Sequence, residues 1–194
     1  MYTLFLDSSD KYMAAGISND KEIIAHFFIE AWQKQSELFT DELADLLYKN
    51  NIAIDDISKI VVGIGPGSYT GVRIALTIAK VMAFSKNIAL YTVSSLAIMA
   101  DFDLPSICVI NARSNRSYVG VYKNGEALVS DQIMQNEDLL KYIDEHRDYS
   151  LCGDLSHIKK TGEMRNPIFT MFKMEKTLTN KVSPLTVKPV YMKD

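Results

Sequence analysis

Residues 57–84 read ISKIVVGIGPGSYTGVRIALTIAKVMAF. Ile57 to Gly63 is a short apolar run suited to a buried strand, and Thr70 to Phe84 is a long apolar segment of helical length, so a glycine-rich turn joins a strand to a helix. Four of the chain's nine glycines fall between Gly63 and Gly71. Glycine permits positive φ and close backbone approach, so two uses compete: free N–H groups at the helix start cradling a phosphate, or tight packing of strand, loop and helix. Two known phosphate fingerprints fail. A P-loop needs Lys and then Ser or Thr after its last glycine, where Val72 and Arg73 stand, and the dinucleotide spacing G-x-G-x-x-G is here G-x-G-x-x-x-G at Gly65, Gly67 and Gly71.

The helix is apolar over most of its circumference. Between Ile74 and Phe84 the exceptions are Thr77 and Lys80, which align with Arg73 as one narrow polar stripe. A helix packed on one sheet needs a single apolar face, so this one is either deeply buried or meets a second subunit. Ala75, Ala79 and Ala83 recur every four residues, which predicts a flat ridge for close helix packing.

Outward from this segment the elements alternate. Tyr2–Leu6, Met13–Ile17 and Ile23–Ile29 read as an antiparallel meander broken at Ser8-Ser9-Asp10 and Asn19-Asp20. Ser36 to Asn50 reads as an amphipathic helix capped by Ser36, and Ile88–Val93 as a strand followed by a short helix ending at Ala100. Asp101 to Pro105 reads as a linker. Strands at 107–110, 118–122 and 127–129 follow, the last two joined by Asn124-Gly125, then a helix capped by Asn136 and running to about His146, and a strand at Leu151-Cys152. The region around Asn166-Pro167 reads as turn-rich. This order predicts an α/β, ribonuclease H-like and actin-like fold of two βββαβα-type subdomains, residues 1–100 and an abbreviated 101–194.

Composition narrows the function. With 47% hydrophobic and 23% charged residues the chain reads as globular, and its formal charge of −3 provides no general attraction to nucleic acid. Charge is uneven, however. Residues 159–194 hold eight basic and three acidic side chains, which admits a tRNA contact or simply a solvated surface. Cys108 and Cys152, each in an apolar stretch, read as reduced buried thiols, and the first residues run straight into a strand. We therefore expect a cytoplasmic protein with no export signal or membrane anchor.

Gly65-Pro66-Gly67-Ser68-Tyr69-Thr70-Gly71-Val72-Arg73-Ile74, followed by Ala79-Lys80, resembles the signature of the TsaB (YeaZ) family. Leu6-Asp7-Ser8-Ser9, Gln35-Ser36-Glu37-Leu38, Val93-Ser94-Ser95-Leu96, Asn111-Ala112-Arg113 and Pro189-Val190-Tyr191-Met192 are similar in the same order, so the likeness spans essentially the whole chain. It departs at Gln35, where the family usually has His, and at Asn111, where it often has Asp. The resemblance implies a non-catalytic, actin-like subunit of the machine that installs threonylcarbamoyl on the adenosine 3′ to the anticodon in tRNAs reading ANN codons. It implies binding to the catalytic paralogue TsaD, or to a second copy when alone, with the ATPase TsaE joining and tRNA met through the complex. ATP and metal would belong to those partners, with no cofactor of its own. The interface so implied is Gln35, Ser36 and Glu37 on one helix and Tyr69, Thr70, Arg73, Thr77 and Lys80 on the other, with the loop residues Gly65, Pro66, Gly67 and Gly71 and the ridge residues Ala75 and Ala79 beside them.

The residues themselves argue against an enzyme. Actin-like ATPases grip phosphates with glycine-containing turns after the first strand of each half, whereas Asp7-Ser8-Ser9-Asp10-Lys11 and Asn111-Ala112-Arg113-Ser114-Asn115 contain no glycine. His26, His146 and His157 form no metal-binding helical pair, and the sequence has no G-x-S-x-G elbow. Two alternatives stay open: a kinase or ATPase using Asp7, and a tRNA-binding module using the basic tail.

Overall fold

The structure, a computed structural model, describes residues 1–192. β1 (Tyr2–Asp7), β2 (Tyr12–Ser18) and β3 (Ile23–Glu30) form the predicted antiparallel meander. α1 (Gln35–Lys49) crosses to β4 (Ile57–Gly63), and α2 (Tyr69–Lys86) crosses to β5 (Ala89–Val93), both strands parallel to β1. The second half repeats the plan with β6 (Ser106–Arg113), β7 (Arg116–Lys123), β8 (Glu126–Gln135), α3 (Asn136–Glu145) and β9 (Ser150–Cys152). α4 (Pro167–Glu175) and β10 (Lys181–Val182) complete the chain. The sheet orders are β10-β5-β4-β1-β2-β3 and β8-β7-β6-β9. Three antiparallel strands extended by parallel crossover strands on the other side of the first strand is the ribonuclease H-like arrangement, present here in full and then in shortened form.

Strand alternation builds three cores. Leu4, Leu6, Ala15 and Val62 face α1 and α2 on one side of the first sheet. Phe5, Ala14 and Val61 face the opposite side, where they meet Cys108, Ile110 and Tyr122 of the second sheet with Ile168, Met171 and Met174 of α4 between. Ile107, Val109, Val119 and Val121 pack on Leu139 and Ile143 of α3. Both cysteines are free and buried.

Several local expectations are corrected. Ser36 does not cap α1, which starts one residue earlier with Lys34 at the cap position and no side-chain cap bond. Gln135 holds the cap position of α3, while Asn136 is its first residue and accepts a hydrogen bond from Ser117 Oγ at 2.8 Å. The helix expected up to Ala100 shrinks to one 3-10 turn, Ala97–Met99, held by Ser94 Oγ accepting from the Leu96 and Ala97 amides. The Asn166-Pro167 turn is instead the start of α4, with Asn166 accepting from the Ile168 amide and Pro167 at the first helical position.

The tail of the expected second subdomain, 101–194, reaches back to the first sheet. α4 wedges between the sheets, with Ile168 directly over Gly16 of β2, and β10 pairs with β5 on the edge of the first sheet. β10 extends the sheet of the first half, whereas α4 fills the space between the halves, packing on Phe5, Ala14 and Val61 together with Cys108, Ile110 and Tyr122.

Candidate functional site

The glycine-rich turn packs against the β1–β2 turn. A Cβ at Gly71 would stand 2.0 Å from the Ser8 carbonyl oxygen and one at Gly67 2.3 Å from that of Ser9, so these glycines serve close backbone approach. Several donors around the helix start are used internally. Ser68 Oγ accepts from the Gly71 amide at 3.2 Å, the Ser68 amide donates to the Ser9 carbonyl at 2.7 Å, and Ser8 Oγ donates to the Gly71 carbonyl at 2.6 Å while accepting from the Ala75 amide. Close packing of this turn on the β1–β2 turn accounts for Gly67 and Gly71.

Asp7 lies beneath it. Burial pushes its carboxyl up to about 7, against the Ser9 amide and hydroxyl, which donate to Oδ2 and pull it down. Its Oδ1 faces Gly63, where a Cβ would meet it at 2.2 Å. Among the described residues no group of three or more His, Cys, Asp or Glu side chains is arranged to hold a metal ion.

Between the two halves lies a cleft of about 700 Å³ whose lining includes Asp10, Lys11, Glu30, Trp32, Arg113 and Asp154. Lys11 Nζ spans it to Asp154 Oδ2 at 3.0 Å. Hydrogen bonds from Ser156, then Lys11, hold the Asp154 carboxyl down at about 2. Arg113, Ser114 and Asn115, at the second turn, all have positive φ while keeping side chains.

The other surface is the outer face of α1 and α2. Ser36, Glu37 and Thr40 on α1 and Tyr69, Thr70, Arg73, Thr77, Val81 and Phe84 on α2 are exposed, with Val81 and Phe84 exposed by 61% and 63%. Thr40, Tyr69, Thr70, Arg73, Ile74, Thr77 and Ile78 line a shallow groove of about 380 Å³. The helix is therefore buried on one side and uncovered on the other. Sequence reasoning missed Thr40, Val81 and Phe84; the signal was present as a continuation of the Thr77 stripe at i+4 and i+7.

The predicted interface residues divide. Ala75 and Ala79 are 0% exposed, because the alanine ridge lets α2 settle closely onto its own sheet and α1. Gly65, Pro66 and Gly71 are also buried, and Gln35 is turned inward to donate Nε2–H to the Asp10 carbonyl at 3.1 Å. Gly67 is half-buried against the Ser9 carbonyl, and Lys80 points sideways, donating to the Val187 carbonyl at 3.0 Å.

Three cations of the basic tail are paired with carboxylates. Arg165 pairs with Asp101 and Glu163, Lys160 with Asp144 and Lys173 with Asp103, while Lys193 and Asp194 lie outside the described residues. No helix among the described residues is long and apolar enough to cross a membrane.

Comparison with known proteins gives concordant matches. Residues 29–176 match the family model described as TsaD: tRNA N6-adenosine threonylcarbamoyltransferase. The tRNA threonylcarbamoyladenosine biosynthesis protein TsaB of Bacillus subtilis is 35% identical over 75% of this chain and 67% of its own length. Its Escherichia coli namesake is 27% identical over 65% of this chain and 57% of its own. Among solved structures, YeaZ from Pseudomonas aeruginosa superposes with a TM-score of 0.81 at 20% identity, covering 98% of this chain and 99% of that one.

Proposed function

The chain belongs to the TsaB (YeaZ) family and takes part in tRNA threonylcarbamoyladenosine biosynthesis, and we propose that it is the docking subunit of that machinery and not its catalyst. The α1/α2 outer face carries this reading. A helix that leaves Val81 and Phe84 in water beside a shallow apolar groove has an uncovered surface suited to a second protein. The occupant we assign is the catalytic paralogue TsaD, or a second copy of this chain when TsaD is absent. TsaE joins that assembly in the cytoplasm, tRNA is met through it, and ATP and metal are bound by the partners. The contacts are Ser36 and Glu37 of α1 with Tyr69, Thr70, Arg73 and Thr77 of α2. The absence of catalysis is supported by a glycine turn packed on the β1–β2 turn and by a cleft bridged by its own ion pair.

Thr77 tests the proposal, since it is exposed at the centre of the face and its replacement leaves the core alone. Thr77→Glu should fold normally yet no longer co-elute with TsaD on size exclusion. A folded Thr77→Glu variant that co-elutes as the parent does would sink the docking role.

A further inference from the structure

Beyond β10 the chain stays on the molecule. The Ser183 carbonyl accepts from the Thr186 and Val187 amides at 3.3 and 3.1 Å, turning the backbone toward α2. There the Val187 carbonyl takes the Lys80 ammonium and the Val187 side chain packs against the core beneath the helix. The Val190 amide then donates to the Ile64 carbonyl at 2.8 Å. Gly65 backs directly onto this strap: a Cβ there would lie 2.7 Å from the Val190 carbonyl oxygen. Residues 187–191 thus run along the flank of α2 and end at its first turn.

At that end three side chains are layered. The Tyr191 ring stacks on Tyr69 with centroids 5.1 Å apart and planes 26° from parallel. Tyr69 in turn engages Arg73, whose guanidinium carbon lies 4.9 Å from its ring centroid and whose Nη1 donates to its hydroxyl at 2.8 Å. Tyr69 and Tyr191 remain 60% and 45% exposed, so the stack forms part of the molecular surface. The cations of α2 differ in use: Lys80 is bonded to the strap and Lys86 to Asp55, whereas Arg73 is presented outward against a phenol.

We propose that Tyr191 is a positioning residue of the docking face: it fixes Tyr69, which holds Arg73 ready to receive a carboxylate of the actin-like catalytic paralogue. This rests on the docking function proposed above. An exposed arginine free to sample its rotamers loses side-chain entropy when it is ordered. A guanidinium already held on a tyrosine face loses less on association, so the strap acts through pre-organisation and not through contact of its own.

The test is calorimetric titration of the full chain with the paralogue. Tyr191→Leu should weaken binding about threefold to tenfold, the range expected for one aromatic pair. Tyr191→Phe should stay within about twofold, because the ring and not the hydroxyl makes the stack. Leu185→Ala, exposed elsewhere on the tail, serves as the unchanged control. Arg73→Ala should weaken binding further, and adding Tyr191→Leu to it should have no additional effect. Parent-like binding by Tyr191→Leu overturns the inference, and so do fully additive losses, which would mean that Tyr191 touches the partner itself. Failure of the parent chain to bind the paralogue would instead remove the docking function.

Discussion

Asp7 is the residue whose chemistry bears most directly on the kinase or ATPase alternative. At the end of β1 its carboxyl is buried against Gly63 and the Ser9 hydroxyl. Its pKa rises from 3.8 to about 7, mainly through burial. The folded chain therefore binds this proton more tightly than the unfolded chain. The stabilisation is fully present below pH 3.8 and is lost as pH rises through about 7. Asp7→Asn keeps an acceptor for Ser9 and abolishes the titration. Relative to the parent, it should gain on the order of 2 kcal/mol between about pH 5 and about pH 8. Urea midpoints at the two values measure this; equal pH dependence in both proteins would refute a protonated Asp7. Gly71 gives a second residue-scale prediction. A Cβ 2.0 Å from a backbone oxygen cannot be relieved by a rotamer change, so Gly71→Ala should cost about 3 kcal/mol in the same assay.

At the scale of the element, α2 has two faces of opposite use. Ala75 is fully buried in the core that also holds Leu4, Val62 and Leu43, whereas Thr77, two residues on, faces solvent. Ala75→Leu should therefore lose about 1–3 kcal/mol by overpacking, and Thr77→Leu should change stability by less than about 0.5 kcal/mol. Thermal unfolding of the pair checks the orientation of the helix, and the reverse order would mean that the ridge faces outward. The strand runs, the Asn124-Gly125 hairpin and the extent of α2 were legible because each depends on local periodicity and turn chemistry. Which side of an almost wholly apolar helix goes inward was not, since Ala75 and Val81 look alike until the sheet and α1 decide between them. α4 was missed for a related reason. Its Asn-Pro start is a helix cap and first-turn pair, but nine residues of helix owe their stability to the gap they fill between two sheets. The return of 181–191 to the first half is wholly non-local, and with it the turning aside of Lys80.

At the scale of the molecule, the question is whether the two halves still work as a nucleotide clamp. Lys11 and Asp154 come from opposite sides of the cleft and meet at 3.0 Å. Asp10, Glu30 and Asp154 place three carboxylates around Lys11 and Arg113, a lining that repels a polyanion. The bridge is partly solvated, so its coupling energy in a double-mutant cycle should be about 1 kcal/mol or less, and its main effect is on closure. Trp32, the chain's single tryptophan, lines the same cleft and reports on it directly. Breaking the bridge with Lys11→Met should raise acrylamide quenching of Trp32 with little loss of stability, because the mouth then opens while the cores stay intact. Mg·ATP titrated into the parent chain should leave Trp32 emission unchanged to millimolar concentration. A saturable response in the micromolar range would show that the cleft accepts nucleotide despite its charge, and would favour the kinase or ATPase alternative over the docking role.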